Sequence, residues 1–128
     1  MNKLHNYACG QWVAGAENGQ ELFNAITGEV VATASSKGLD FAKMCEYART
    51  VGGPKLRKMT FHERGQMLKA LAMHLQTKKE EFYKISWATG ATRIDSWVDI
   101  EGGFGNLFTY ASLRRQFPNE TFCYDGDV

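Results

Sequence analysis

The stretch Asp99–Asn106, DIEGGFGN, places Gly102, Gly103 and Gly105 within four residues, just behind an acid. Read as a loop, it is a phosphate cradle and the chain is a nucleotide-binding α/β unit. Read as the middle of a long helix, it makes the chain an α+β domain with a gap in one helix surface. A dinucleotide fingerprint needs a strand, then G-x-G-x-x-G, then a helix start. Gly103-Phe104-Gly105 supplies the first half, but Phe108 stands where the third glycine belongs. No Gly-Lys-Ser/Thr is present to make a Walker loop.

The residues upstream decide the matter. Ile94, Trp97, Val98, Glu101, Phe104, Phe108 and Ala111 recur in steps of three and four, the period of a helix. Thr92, with Asp95 three residues on, is a start signal. The spacing therefore predicts one helix over about 93–113. Each glycine inside it costs roughly 1 kcal/mol against alanine. Gly102, Gly103 and Gly105, with Phe104 and Phe108, are then candidates for a packing notch or interface, where another backbone comes close.

Working outward, Thr60-Phe61-His62-Glu63 is a capping box. It opens a helix over about 61–77 with Met67, Leu68, Leu71, Ala72 and Leu75 on one stripe. A further helix is expected over about 79–89, placing Phe82, Ile85 and Thr89 together and stopping at Gly90. Asp40 caps a helix over about 41–50, which Val51-Gly52-Gly53-Pro54 should end. Residues 6–34 read as strand and turn. Tyr7, Cys9 and Gln11 alternate with Ala8 and Gly10, and Asn18-Gly19 is the expected tip of a turn. Thr27–Ala34 opens on a turn glycine and runs into Val30-Val31. The fold class is α+β: short strands and a hairpin, then three to four helices.

The totals narrow the function. At 128 residues the chain suits one domain, and 44% hydrophobic with 23% charged residues permits a core. A net charge of +1, with Lys78-Lys79 followed at once by Glu80-Glu81, leaves no basic stripe for nucleic acid. No apolar run is long enough for a secretory signal or a membrane span. The three cysteines, Cys9, Cys45 and Cys123, fit neither a disulfide framework nor a zinc knuckle. They read as buried structural thiols in a reducing cytoplasm.

Catalytic motifs are missing. His62-Glu63-Arg64-Gly65-Gln66 has glutamine where a zincin helix needs its second histidine, and His5 and His74 have no ligand spacing. Asp95 and Asp99, one turn apart, repel. Trp12, Trp87 and Trp97 read as core or interface. No catalytic, cofactor-binding or metal-ligating residue is assigned.

A resemblance adds to this. Asn24–Ser36 (NAITGEVVATASS), Gly10-Gln11-Trp12, Phe61–Leu75 (FHERGQMLKALAMHL) and Ala88–Ser112 (ATGATRIDSWVDIEGGFGNLFTYAS) resemble, in order, segments of the aldehyde dehydrogenase superfamily. Ala25 replaces a usual proline and Ala91 a usual lysine. The wording is closest to a branch acting in aerobic phenylacetate degradation. The resemblance implies an NADP-dependent dehydrogenase that oxidises a CoA-linked semialdehyde, joined to a hydratase-like domain that opens an oxepin-CoA ring. It implies that the nucleophilic cysteine, the general base and the cofactor loop lie downstream of the matched region, so NADP belongs to the parent and no cofactor to this chain. The expected chain is an N-terminal scaffold portion, inactive alone. It would be partnered by the rest of the parent or by self-association, with no nucleic acid and no membrane. The alternatives are a stand-alone protein-interaction module and a small unrelated binding module.

Overall fold

The computed structural model describes residues 2–124 and 126. It is a mixed α and β structure in two compact units, residues 1–53 with 88–90, and residues 54–87 with 91–128.

In the first unit, β1 (His5–Ala8) and β2 (Gln11–Ala14) form an antiparallel hairpin with Ala8 opposite Gln11. The two residues between them, Cys9 and Gly10, have φ of 51° and 82°. Positive φ at both central positions marks the turn that matches strand twist. This corrects the expectation of a tip at Asn18-Gly19. The apparent alternation through Cys9 is interrupted by the turn, and residues 15–19 instead link two hairpins. The second hairpin pairs β3 (Gln20–Phe23) with β4 (Val30–Ala34). Its connection is built on Asn24, whose Oδ1 accepts from the amides of Ile26 (2.8 Å) and Thr27 (3.2 Å). On the other edge of β4, Lys3 pairs in parallel with Thr33. Ala8, Ala32 and Thr33 are buried here.

Helix α1 (Phe41–Tyr47) starts at Asp40, which accepts from the Lys43 amide at 2.9 Å. It does not end at Val51–Pro54 as expected. The chain widens into a π turn, Ala48–Gly52, and continues as α2 (Gly53–Lys58). Proline has no N–H and its ring clashes with the carbonyl four residues back. The wider turn, closed by the Gly53 amide on the Ala48 carbonyl, lets Pro54 enter a helical path.

The second unit holds α3 (Phe61–Thr77), α4 (Lys79–Trp87) and α5 (Arg93–Leu113), followed by a 3₁₀ turn, Arg114–Gln116. Both capping boxes form. Thr60 accepts from the Glu63 amide at 3.1 Å and Glu63 accepts from the Thr60 amide at 2.8 Å. Thr92 and Asp95 do the same for α5. The helices pack α3 on α5 and α4 on α5. The core is thin, and its most completely buried apolar side chains are Ala72 (0% exposed) and Ala111 (1%). A Cβ on Gly65 would fall 2.8 Å from the Arg114 side chain, so α3 and α5 approach closely there.

The buried faces are narrower than the periodic stripes predict. On α3, Met67 and Leu71 are exposed while Gly65 and Ala72 are buried. On α4, Tyr83 is buried and Ile85 exposed. Helical spacing fixes which residues share a face, but the placement of the neighbouring helices decides how much of it is covered.

Candidate functional site

The glycine-rich stretch lies wholly within α5, its first glycine ten residues beyond the Thr92 cap. Its amides are committed to a helical ladder, so no phosphate cradle forms. Phe104 is buried, with its ring 6.2 Å from that of Phe82. Phe108 is half-buried. Gly102, Gly103 and Gly105 are exposed, and a Cβ on any of them would meet nothing within 4 Å. Thus Phe104 serves the internal core, while the glycines open outward.

Gly102 and Gly105 share a face of α5 with Ile94 and Val98, by helical spacing. Those side chains are 74% and 60% exposed. Together they make an apolar stripe that runs out into bare backbone at Gly102 and Gly105. Gly103 lies on another side of the helix. Sequence reasoning placed Ile94 and Val98 on one stripe with Phe104 and Ala111. The structure divides them, because α3 and α4 cover only the Ser96–Phe104–Ala111 side.

The polar cluster that sequence reasoning missed lies between α4 and α5. The Tyr83 hydroxyl donates to Glu101 Oε1 at 2.8 Å, and Lys79 Nζ reaches the same oxygen at 3.5 Å. The Arg93 guanidinium sits 3.7 Å over the centre of the Tyr83 ring, and its Nη2 lies 3.5 Å from Glu80. The Ser86 and Ser96 hydroxyls are 2.8 Å apart. Burial first, then the hydrogen bond to Glu101, raises the Tyr83 phenol above its ordinary value of 10.0. Only the helical offset between Lys79 and Tyr83 hinted at this in the sequence. A cavity of about 410 Å³ borders the cluster, lined by Tyr83, Trp87, Thr92 and Arg93 among others. Its charged groups are spent on one another, and it contains no nucleophile paired with a base. It braces two helices.

The remaining candidates stay apart. Cys45 is exposed, and Cys9 and Cys123 are partly so, which corrects the expectation of buried thiols. Cys9 occupies the hairpin turn rather than a strand, and Cys45 lies on a helix, α1, that buries none of its residues. Trp12, Trp87 and Trp97 are exposed rather than core. His62 Nε2 lies 3.0 Å from the Phe117 carbonyl, fastening the first turn of α3 to the end of the helical region. No group of metal-ligating side chains occurs among the described residues. No described helix is long and apolar enough to cross a membrane.

The pattern of the aldehyde dehydrogenase family matches residues 12–127. A 3,4-dehydroadipyl-CoA semialdehyde dehydrogenase from Aromatoleum evansii is 42% identical over 114 residues, covering 88% of this chain and 22% of that relative. The chain therefore spans under a quarter of the relative's length. Short strands in two small sheets, then capped helices, agree with part of that family's fold. On the match over most of its length, and on this architecture, the chain belongs to the aldehyde dehydrogenase family.

Proposed function

We propose that this chain forms the N-terminal structural portion of an NADP-dependent aldehyde dehydrogenase, one that oxidises a CoA-linked semialdehyde in aerobic phenylacetate degradation in the cytoplasm. The relative's name supports the substrate class. In this reading the chain does not oxidise aldehydes by itself: among the described residues no cysteine is set beside a general base, and Gly102, Gly103 and Gly105 lie inside a helix rather than in a cofactor loop.

The observation that carries this reading is the amount of surface left bare. The chain exposes 9558 Å². A folded monomer of this mass would expose about 6,800 Å², and two separate globules the size of its units about 8,200 Å². The exposed side chains include large apolar ones: Trp87, Ile94, Trp97 and Val98 in the second unit, and Trp12 and Phe23 in the first. Such surface marks a missing partner.

The test compares this chain with the polypeptide encoded by its complete reading frame, using 3,4-dehydroadipyl-CoA semialdehyde and NADP. NADPH formation by the complete polypeptide alone is expected. Turnover by this chain that survives replacement of Cys9, Cys45 and Cys123 by alanine would overturn the reading, as would a complete reading frame that ends at Val128. The latter result would favour a stand-alone interaction module.

A further inference from the structure

The first turn of α3 and the end of α5 border an apolar cleft of about 300 Å³ within the second unit. Phe61, Leu68, Tyr110 and Phe117 supply apolar walls, and Arg64 and Arg114 bring two positive charges. No carboxylate lines the cleft. The Phe61 and Phe117 rings stack with centroids 4.8 Å apart. The Arg64 guanidinium lies 4.5 Å from the centre of the Phe61 ring, and its Nη2 donates to the Thr121 carbonyl at 3.3 Å. Arg114 Nη1 donates to the Ala111 carbonyl at 2.6 Å.

Neither arginine forms an ion pair with a carboxylate among the described residues. The buried Nε of Arg64 has no acceptor there at all. Two half-buried cations lining one aromatic-walled cleft, their hydrogen bonds going only to carbonyls, form an unbalanced arrangement. Burying a charge is costly unless it is paired, and a buried donor without an acceptor is costly too. The missing complement is an acid. The walls call for an apolar group next to it, and guanidinium groups suit carboxylates through paired N–H donors.

We propose that this cleft receives a polypeptide segment carrying an aspartate or glutamate beside an apolar or aromatic residue, supplied by the further length of the same dehydrogenase chain. The inference rests on the reading above that this chain is a portion of a larger enzyme. Two observations select this occupant. Charge complementarity selects the acid. The relative's length, of which this chain spans 22%, selects a source in the same polypeptide.

The probe is a set of short overlapping peptides covering the remaining sequence of the Aromatoleum evansii relative, titrated onto the folded 128-residue chain by fluorescence anisotropy. A binding peptide is expected to hold an acid next to an apolar residue. Replacing that acid by its amide should weaken binding about tenfold, the loss of one charge-assisted pair. Arg114→Gln in the chain should do the same and Arg114→Lys less. The change on the peptide side leaves the chain untouched, so it reads the contact even if an arginine variant folds poorly. No binding peptide, or binding indifferent to the acid, overturns the proposal. So does a dimer of this chain that Arg114→Gln abolishes, since a second copy would then fill the cleft. If peptide binding fails while the complete polypeptide turns over the semialdehyde, this inference alone falls. If binding holds and turnover fails, the catalytic reading alone falls.

Discussion

Gly65 and Gly102 are both helical glycines, yet their environments are opposite. A methyl group on Gly65 meets Arg114 at 2.8 Å and the Ala111 carbonyl at 2.9 Å. Gly65→Ala should therefore cost about 1–3 kcal/mol by forcing α3 away from α5. A methyl on Gly102 meets nothing, and the backbone there is ordinary helix. Gly102→Ala should stabilise this chain by about 1 kcal/mol, the propensity difference alone. Urea unfolding followed by helical circular dichroism separates the two signs. The sequence shows both as glycines at helical positions and does not distinguish them. Close approach is a property of the neighbour, and Arg114 lies 49 residues further along. Cys9 was obscure for a related reason. A positive φ is uncommon for a residue with a side chain, so the first turn carried no Asn-Gly signature to betray it.

At the level of elements, the helix starts were the most legible feature, because a capping box is entirely local. Thr60 with Glu63 and Thr92 with Asp95 lie three residues apart, and the chain needs no distant partner to close them. Thr60→Ala and Thr92→Ala should each remove about 1 kcal/mol of stability, read as a lower unfolding midpoint. The buried face of each helix was less legible, since Met67, Leu71, Ile85 and Ile94 continue the right period and yet face outward. Periodicity predicts a face, and only the packing of other elements fills it. The Tyr83–Glu101 bond joins α4 to α5 and makes their union sensitive to alkali. The phenol's folded value is raised above its ordinary 10.0, so folding favours the protonated form. Its contribution is full below the ordinary value and is lost as pH rises from there through the raised one. An absorbance titration of tyrosinate should show a late component that Tyr83→Phe removes.

For the molecule as a whole, bare apolar surface dominates. We expect the isolated chain to self-associate, with light scattering showing species heavier than a monomer whose share grows with concentration. A monodisperse monomer with one cooperative unfolding transition would contradict this. The family was legible in several separate blocks, from Gly10-Gln11-Trp12 to the DIEGGFGN stretch. A purely physical reading of the same residues stopped at an α+β domain, because no catalytic motif is complete in them: Gln66 stands where a zincin helix needs histidine and Phe108 where a dinucleotide loop needs glycine. The hairpins carry one more implication, which concerns time. Each sheet joins strands consecutive in the chain, and β1 meets β2 across only two residues. Little loop entropy is lost in closing such a pair, and hairpins of this kind form in about 1–10 μs. Contacts between near neighbours are also the fastest to find. The first hairpin can thus be in place while a ribosome is still adding the helices, and this segment can acquire its order as it is synthesised.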